Sequence, residues 1–187
     1  MQSNCEQATD QDLKIITEQL GREPRGVLGI ANRCRYGYPQ VIINRPVISN
    51  GEQVTVFPTS LWLTCPYLRK QISKIESTGL ISTLQSKVAD DPDFAEAVKV
   101  AHQGHAEFRR SLIPNEVLLA LAKNYPNEYQ VIAETGVGGT RSYDGVKCLH
   151  AHFADFLVLK QNAIGKMIYE ALDGELDCSS GDCELEN

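Results

Sequence analysis

Leu13, Ile16 and Leu20 fall three and four residues apart, on one face of a helix that Asp10 or Asp12 can cap and Gly21 can end. The period then changes. Runs 27–30, 41–43 and 54–63 are β-branched or apolar, separated by Gly37-Tyr38-Pro39 and Ser49-Asn50-Gly51. An Asn-Gly pair between such runs signals a hairpin, so a three-stranded antiparallel meander is predicted. Beyond Cys65 the helical period returns. Leu68, Ile72 and Ile75 form one stripe closed by Gly79. Asp91-Pro92 supplies a cap and a first-turn proline for a long amphipathic helix through Phe94, Val98, Ala101, His105, Phe108 and Leu112. Pro114 and Pro126 bracket a helical piece around 117–121, and 128–134 also reads as helix. Gly136-Val137-Gly138-Gly139 is a loop, and helices are predicted over 146–160 and 164–172.

These elements make a helix-dominated α+β domain over 1–172, with a small three-stranded antiparallel sheet near the N-terminus. An acidic, cysteine-containing tail, 173–187, follows. With 187 residues and 42% hydrophobic positions, one core of ordinary size suffices to fold the chain without a metal or disulfides. No run approaches the length of a membrane span, and residues 1–12 lack the basic and apolar regions of a signal peptide. A cytoplasmic protein without a membrane partner is the expectation.

The net charge of -6 is uneven. The tail carries Asp173, Glu175, Asp177, Asp182, Glu184 and Glu186 and no base, so the remainder is neutral. Within that neutral body, Arg22, Arg25, Arg33, Arg35 and Arg45 face only Glu23. This segment can hold a small anion or a phosphate-containing ligand, the plain alternative being a solvated arginine face. No long basic stripe with interleaved aromatics argues for nucleic acid. The acidic tail could instead dock a protein partner.

Six cysteines, Cys5, Cys34, Cys65, Cys148, Cys178 and Cys183, are many for such a chain, yet they form no paired C-x-x-C knuckles. Cys65 precedes Pro66 and so caps the next helix, where unpaired amides and the helix dipole favour its thiolate. Cys148, His152 and Asp155 lie four and three residues apart, which on a continuous helix is one stripe. A Cys and a His at that spacing can reach one ion, with Asp155 as a further ligand or as the orienter of the imidazole. His150 falls at the edge of the apolar face and reads as a packing or hydrogen-bonding residue rather than a metal ligand. His105 sits on the core stripe of its helix, and His102 could line a cleft with Arg109. The sharper expectation is that Cys34, Cys65 and Cys148 meet, with His152 or Cys178 as the fourth ligand of Zn²⁺ or, less readily, of an iron–sulfur cluster.

The amides of Gly136, Gly138 and Gly139 could cradle an anion, helped by Arg141 and Lys147 and, from the arginine-rich strand, by Arg33 and Arg35. The loop is neither a P-loop nor a dinucleotide fingerprint. Its plain alternative is a connection between two helices.

The segments Gly26-Val27-Leu28-Gly29-Ile30-Ala31-Asn32-Arg33-Cys34, Trp62-Leu63-Thr64-Cys65-Pro66, Gly136-Val137-Gly138-Gly139 and Val146-Lys147-Cys148-Leu149-His150-Ala151-His152 together resemble the bacterial domain of unknown function 501 family. The resemblance runs from about Asp12 to Leu172. It implies a small bacterial cytoplasmic protein and brings no activity with it. It does single out Arg33-Cys34, Thr64-Cys65-Pro66 and Lys147-Cys148-Leu149-His150.

Three functions fit these residues. One is a cysteine/histidine metal-site protein with an anion-facing surface. Another is a thiol enzyme, with Cys65 as nucleophile, His152 or His150 as base and Asp155 as orienter, acting on a phosphate- or acyl-containing substrate. The third is a protein-interaction module.

Overall fold

The computed structural model describes residues 5–51 and 53–181. The first helix, α1 (Asp10–Leu20), begins on a capping box. Thr9 Oγ1 accepts the Asp12 amide at 3.1 Å, and Asp12 Oδ2 accepts the Thr9 amide at 3.0 Å. The cap is thus Thr9, with Asp12 closing the box three residues on. Gly21, left-handed at φ 68°, ends the helix as its position predicts.

The sheet is a three-stranded antiparallel meander, ordered β1 (Val27–Arg33), β2 (Pro39–Asn44), β5 (Leu61–Leu63). Ile30 pairs with Ile42, and Ile42 with Trp62. The apolar run 54–63, expected as one strand, is divided. Its first part, β4 (Val54–Val56), turns back on β3 (Val47–Ser49) across the Asn50-Gly51 turn. Only its last three residues reach β2. Pro58 lies between the two parts, and proline cannot donate to a ladder.

Every residue of β2 is buried, because helices cover the sheet. The helices that follow the sheet are α2 (Pro66–Ser77), α3 (Leu80–Asp90), α4 (Pro92–Ser111), α5 (Asn115–Asn124), α6 (Pro126–Glu134), α7 (Leu149–Leu159) and α8 (Ala163–Ala171), of which α7 packs on β1, β2 and β5. Proline at the first turn starts α2, α4 and α6. Asp91 Oδ1 caps α4 through the Phe94 amide at 3.0 Å. The unpredicted helix is α3, separated from α2 by Gly79 at φ 85°.

Val41, Ile43, Leu61 and Leu63 of the sheet pack with Leu68, Ile72, Leu84, Val98, Leu149, Phe153, Leu157, Ile164 and Ile168 in one core. Its centre is α7, which is buried on nearly all sides. Helix α8 folds back on α7 so closely that a side chain at Gly165 would overlap Phe156. No helix among the described residues is long and apolar enough to cross a membrane.

Helix α7 starts later than its periodicity predicts. Residues 146–148 are not helical, and Cys148, with φ -148° and ψ 116°, is the cap rather than an interior residue. Hydrogen bonds from outside the helix hold this conformation. The Val146 amide donates to Gln85 Oε1 at 2.9 Å, and Gln85 Nε2 donates to the Asp144 carbonyl at 2.9 Å. The expected stripe of Cys148, His152 and Asp155 is therefore broken at its first member. His152 and Asp155 turn into the core, while Cys148 remains at the helix start.

Candidate functional site

The first turn of α7 has an acceptor from another helix. Glu76, in the last turn of α2, takes the Leu149 amide on Oε1 at 2.8 Å. The same oxygen stands 3.4 Å from His150 Nδ1. His150 Nε2 donates to the Arg69 carbonyl at 3.1 Å, with Ser73 Oγ 3.4 Å away. Since a carbonyl only accepts, Nε2 carries a proton, and in the neutral ring Nδ1 keeps its lone pair. One donor atom each from Glu76, Cys148 and His150 lie within 4.8 Å of one another, and all three residues are half-buried.

Opposing effects act on the sulfur. Burial pushes the Cys148 thiol up, but the hydrogen bond to His150 and the Ala151 amide bring it below its ordinary value. His150 moves the other way. Its bond to Cys148 raises it, against burial, and the Arg69 carbonyl adds to the rise. Both shifts run towards a thiolate and an imidazolium. Beside them, Gly138 at φ 67° packs on the helix start, and a Cβ there would lie 3.8 Å from that of Cys148. The glycine loop thus packs against the start of α7.

The other predicted ligands lie elsewhere. Cys65 caps α2 ahead of Pro66, as expected, and is 6% exposed. Cys34 begins the turn after β1, and Cys178 follows α8; neither they nor Cys5, Cys65 or Cys148 form a disulfide. Among the described residues, Glu76, Cys148 and His150 are the one group of three or more such donors brought this close. Cys34, Cys65, Cys178 and His152 do not join it. Cys183 lies outside the described residues. Glu76 was not legible in the sequence, being an acid in the polar last turn of a helix far from Cys148.

His152 and Asp155 belong to a second polar cluster, sealed in the interior with His102, His105, Arg109 and Asn162. His105 Nδ1 bonds Asp155 Oδ1 at 2.7 Å, and Asn162 Nδ2 donates to Asp155 Oδ2 at 2.9 Å. His152 Nδ1 is 3.2 Å from Asn162 Oδ1, while its Nε2 is buried without a partner. Burial, then the neighbouring His102, pushes the His152 imidazole down to about 4. Arg109 donates to the carbonyls of Ile132, Pro58 and Thr135. Desolvation lowers its guanidinium to about 10, where it remains charged at neutral pH.

This cluster anchors the glycine loop. His102 Nδ1 accepts the Val137 amide at 3.0 Å, Nε2 donates to the Gly145 carbonyl at 3.0 Å, and Tyr143 stacks on the ring. Gly136 lies against His102, where a side chain would overlap the imidazole. Two of the three loop amides expected to face an anion are used internally. Gly136 donates to the Thr140 carbonyl and Gly139 to that of Gly136. Arg33 is bonded to Glu6 and Asp12, and Arg35 to Asp177. Arg141 and Lys147 are exposed.

No curated protein and no solved structure matches the chain. A family model, described as a protein of unknown function, matches residues 30–170. That stretch runs from β1 to α8 and contains Glu76, Cys148, His150 and the buried histidine cluster; the chain belongs to the DUF501 family.

Proposed function

We propose that this is a metal-site protein in which Glu76, Cys148 and His150 hold one Zn²⁺-class ion. The observation that carries the reading is the bond from His150 Nε2 to the Arg69 carbonyl. Ligating histidines characteristically donate their other ring N–H to such an acceptor, and here the free Nδ1 faces a thiol and a carboxylate. A carboxylate, a thiolate and an imidazole lone pair in one half-buried place call for a divalent cation. The mixed S, N and O donors suit zinc, whereas an iron–sulfur cluster draws on several thiolates. Three protein ligands leave a fourth position for water or a small anionic ligand, the arrangement of catalytic rather than structural zinc.

Metal analysis of the full chain purified without chelators tests this reading. About one zinc per chain is expected, falling below ~0.2 in Cys148→Ser and in Glu76→Gln while Cys65→Ser keeps its metal. A metal-free wild-type chain whose melting temperature ignores added Zn²⁺ would sink it.

The opposed shifts of Cys148 and His150 favour a second reading, a thiol enzyme. Cys148 would then be the nucleophile, His150 Nδ1 the base and the Arg69 carbonyl the orienter. Rapid alkylation of Cys148 alone near neutral pH, undiminished by Zn²⁺, would favour that chemistry over the metal centre.

A further inference from the structure

Residues 173–181 run as a strap from the end of α8 onto the turn between β1 and β2. The seat supplies donors and the strap acceptors. Gln40 Nε2 donates to the Leu176 carbonyl at 2.7 Å, and the Arg35 amide to Asp177 Oδ1 at 3.0 Å. Arg35 Nη2 reaches the Cys178 carbonyl at 3.4 Å, and the Tyr36 hydroxyl lies 3.2 Å and 3.1 Å from the carbonyls of Cys178 and Ser179. Gly181, left-handed at φ 71°, lies against the Tyr36 ring, where a Cβ would stand 2.9 Å from it. Leu176 packs on the core ahead of these contacts.

We propose that this seat is an exchangeable binding site for an extended acidic peptide, with the strap as its resident occupant. Recognition falls on main-chain carbonyls, which any extended peptide offers, together with one carboxylate and one glycine. A competing segment therefore needs an apolar residue followed by an aspartate, with a glycine four positions further on, as in Leu176, Asp177 and Gly181.

Three features make exchange the expected behaviour. Asp173 at φ 51° and Gly174 at φ 74° form a left-handed pair directly after α8, so rotation there lifts the strap without unwinding the helix. No disulfide holds Cys178. The third feature is Gln40, which is 1% exposed with its Oε1 bonded to Asn32 Nδ2 at 2.8 Å. When the strap leaves, Gln40 Nε2 loses its close acceptor, and a second peptide carbonyl restores it. The inference is independent of the metal site.

A labelled synthetic peptide of residues 173–181 tests it by fluorescence anisotropy against the full chain. The double variant Asp177→Lys/Gly181→Lys, which weakens the resident strap, should bind the peptide at least ~10-fold more tightly than wild type. Adding Arg35→Glu should abolish that gain, and a peptide with asparagine at the aspartate position should bind weakly. In the unmodified chain, excess peptide should speed amide hydrogen exchange at residues 174–181 and nowhere else. Equal peptide binding by wild type and double variant, or strap exchange indifferent to peptide, overturns the proposal.

Discussion

The Leu149 amide donates to Glu76 Oε1 at 2.8 Å, so the most buried helix of the protein begins on a carboxylate supplied by α2. That one oxygen joins two functions, since it also stands 3.4 Å from His150 Nδ1. Glu76→Ala should remove a helix cap and cost about 1 kcal/mol of stability. Glu76→Gln keeps a side-chain acceptor for the amide and should cost less, while still removing the anionic donor. Urea unfolding of both variants separates the cap from the charge. Equal losses in the two would mean that the amide bond is not what Glu76 contributes.

Replacing His150 by alanine should make the Cys148 thiol harder to ionise. The hydrogen bond to His150 holds that thiol below its ordinary value, so removing the imidazole lets burial dominate and moves it upward. In metal-free protein, the pH midpoint of iodoacetamide labelling at Cys148 should therefore rise. A midpoint unchanged by the substitution would show that the Ala151 amide alone activates the sulfur.

Much of the fold follows from residues whose local chemistry admits one reading. Gly21 ends a helix, Pro66 and Pro92 start two more, and Asn50-Gly51 turns a ribbon. The site was harder to see because its members are joined by tertiary contacts. Cys148 is a cap only because Gln85 and Glu76 take the amides of Val146 and Leu149, and neither partner is marked in the sequence. The periodicity of 146–160 was continuous, so it placed Cys148 on a stripe with His152. In the folded chain one residue faces Glu76 and the other lies in the sealed cluster. Pro66 marks Cys65 as the start of a helix, but spacing cannot show which other donors a fold will bring to it.

The His152 imidazole makes stability depend on pH in a defined direction. Its folded value is about 4, below the ordinary 6.5, so the unfolded chain takes up the proton first. The contribution is fully present above about pH 6.5, is lost as the pH falls towards about 4, and levels off below that. The loss is on the order of 3 kcal/mol. His102, also lowered by burial, acts with the same sign. Unfolding free energies over that range should therefore decline more steeply in wild type than in His152→Gln. Parallel curves would show that His152 can be protonated in the folded state without penalty.

Arg109 and His102 hold the same loop from two points on α4, and their effects should not add. Arg109 bonds the carbonyls of Ile132, Pro58 and Thr135, and His102 bonds the Val137 amide and the Gly145 carbonyl. Arg109→Met leaves three carbonyls short of a donor in the interior and should cost about 3–5 kcal/mol. Gly136→Ala pushes a methyl group into the His102 ring and should cost about 1–3 kcal/mol. Either change frees the segment that wraps from Thr135 to Val146, so the second has less left to disrupt. The double variant, measured by urea unfolding where it still folds, should lose less than the two single losses together, by about 0.5 kcal/mol or more. Strict additivity would mean that the arginine and histidine anchors work independently, and that the loop is not one cooperative unit.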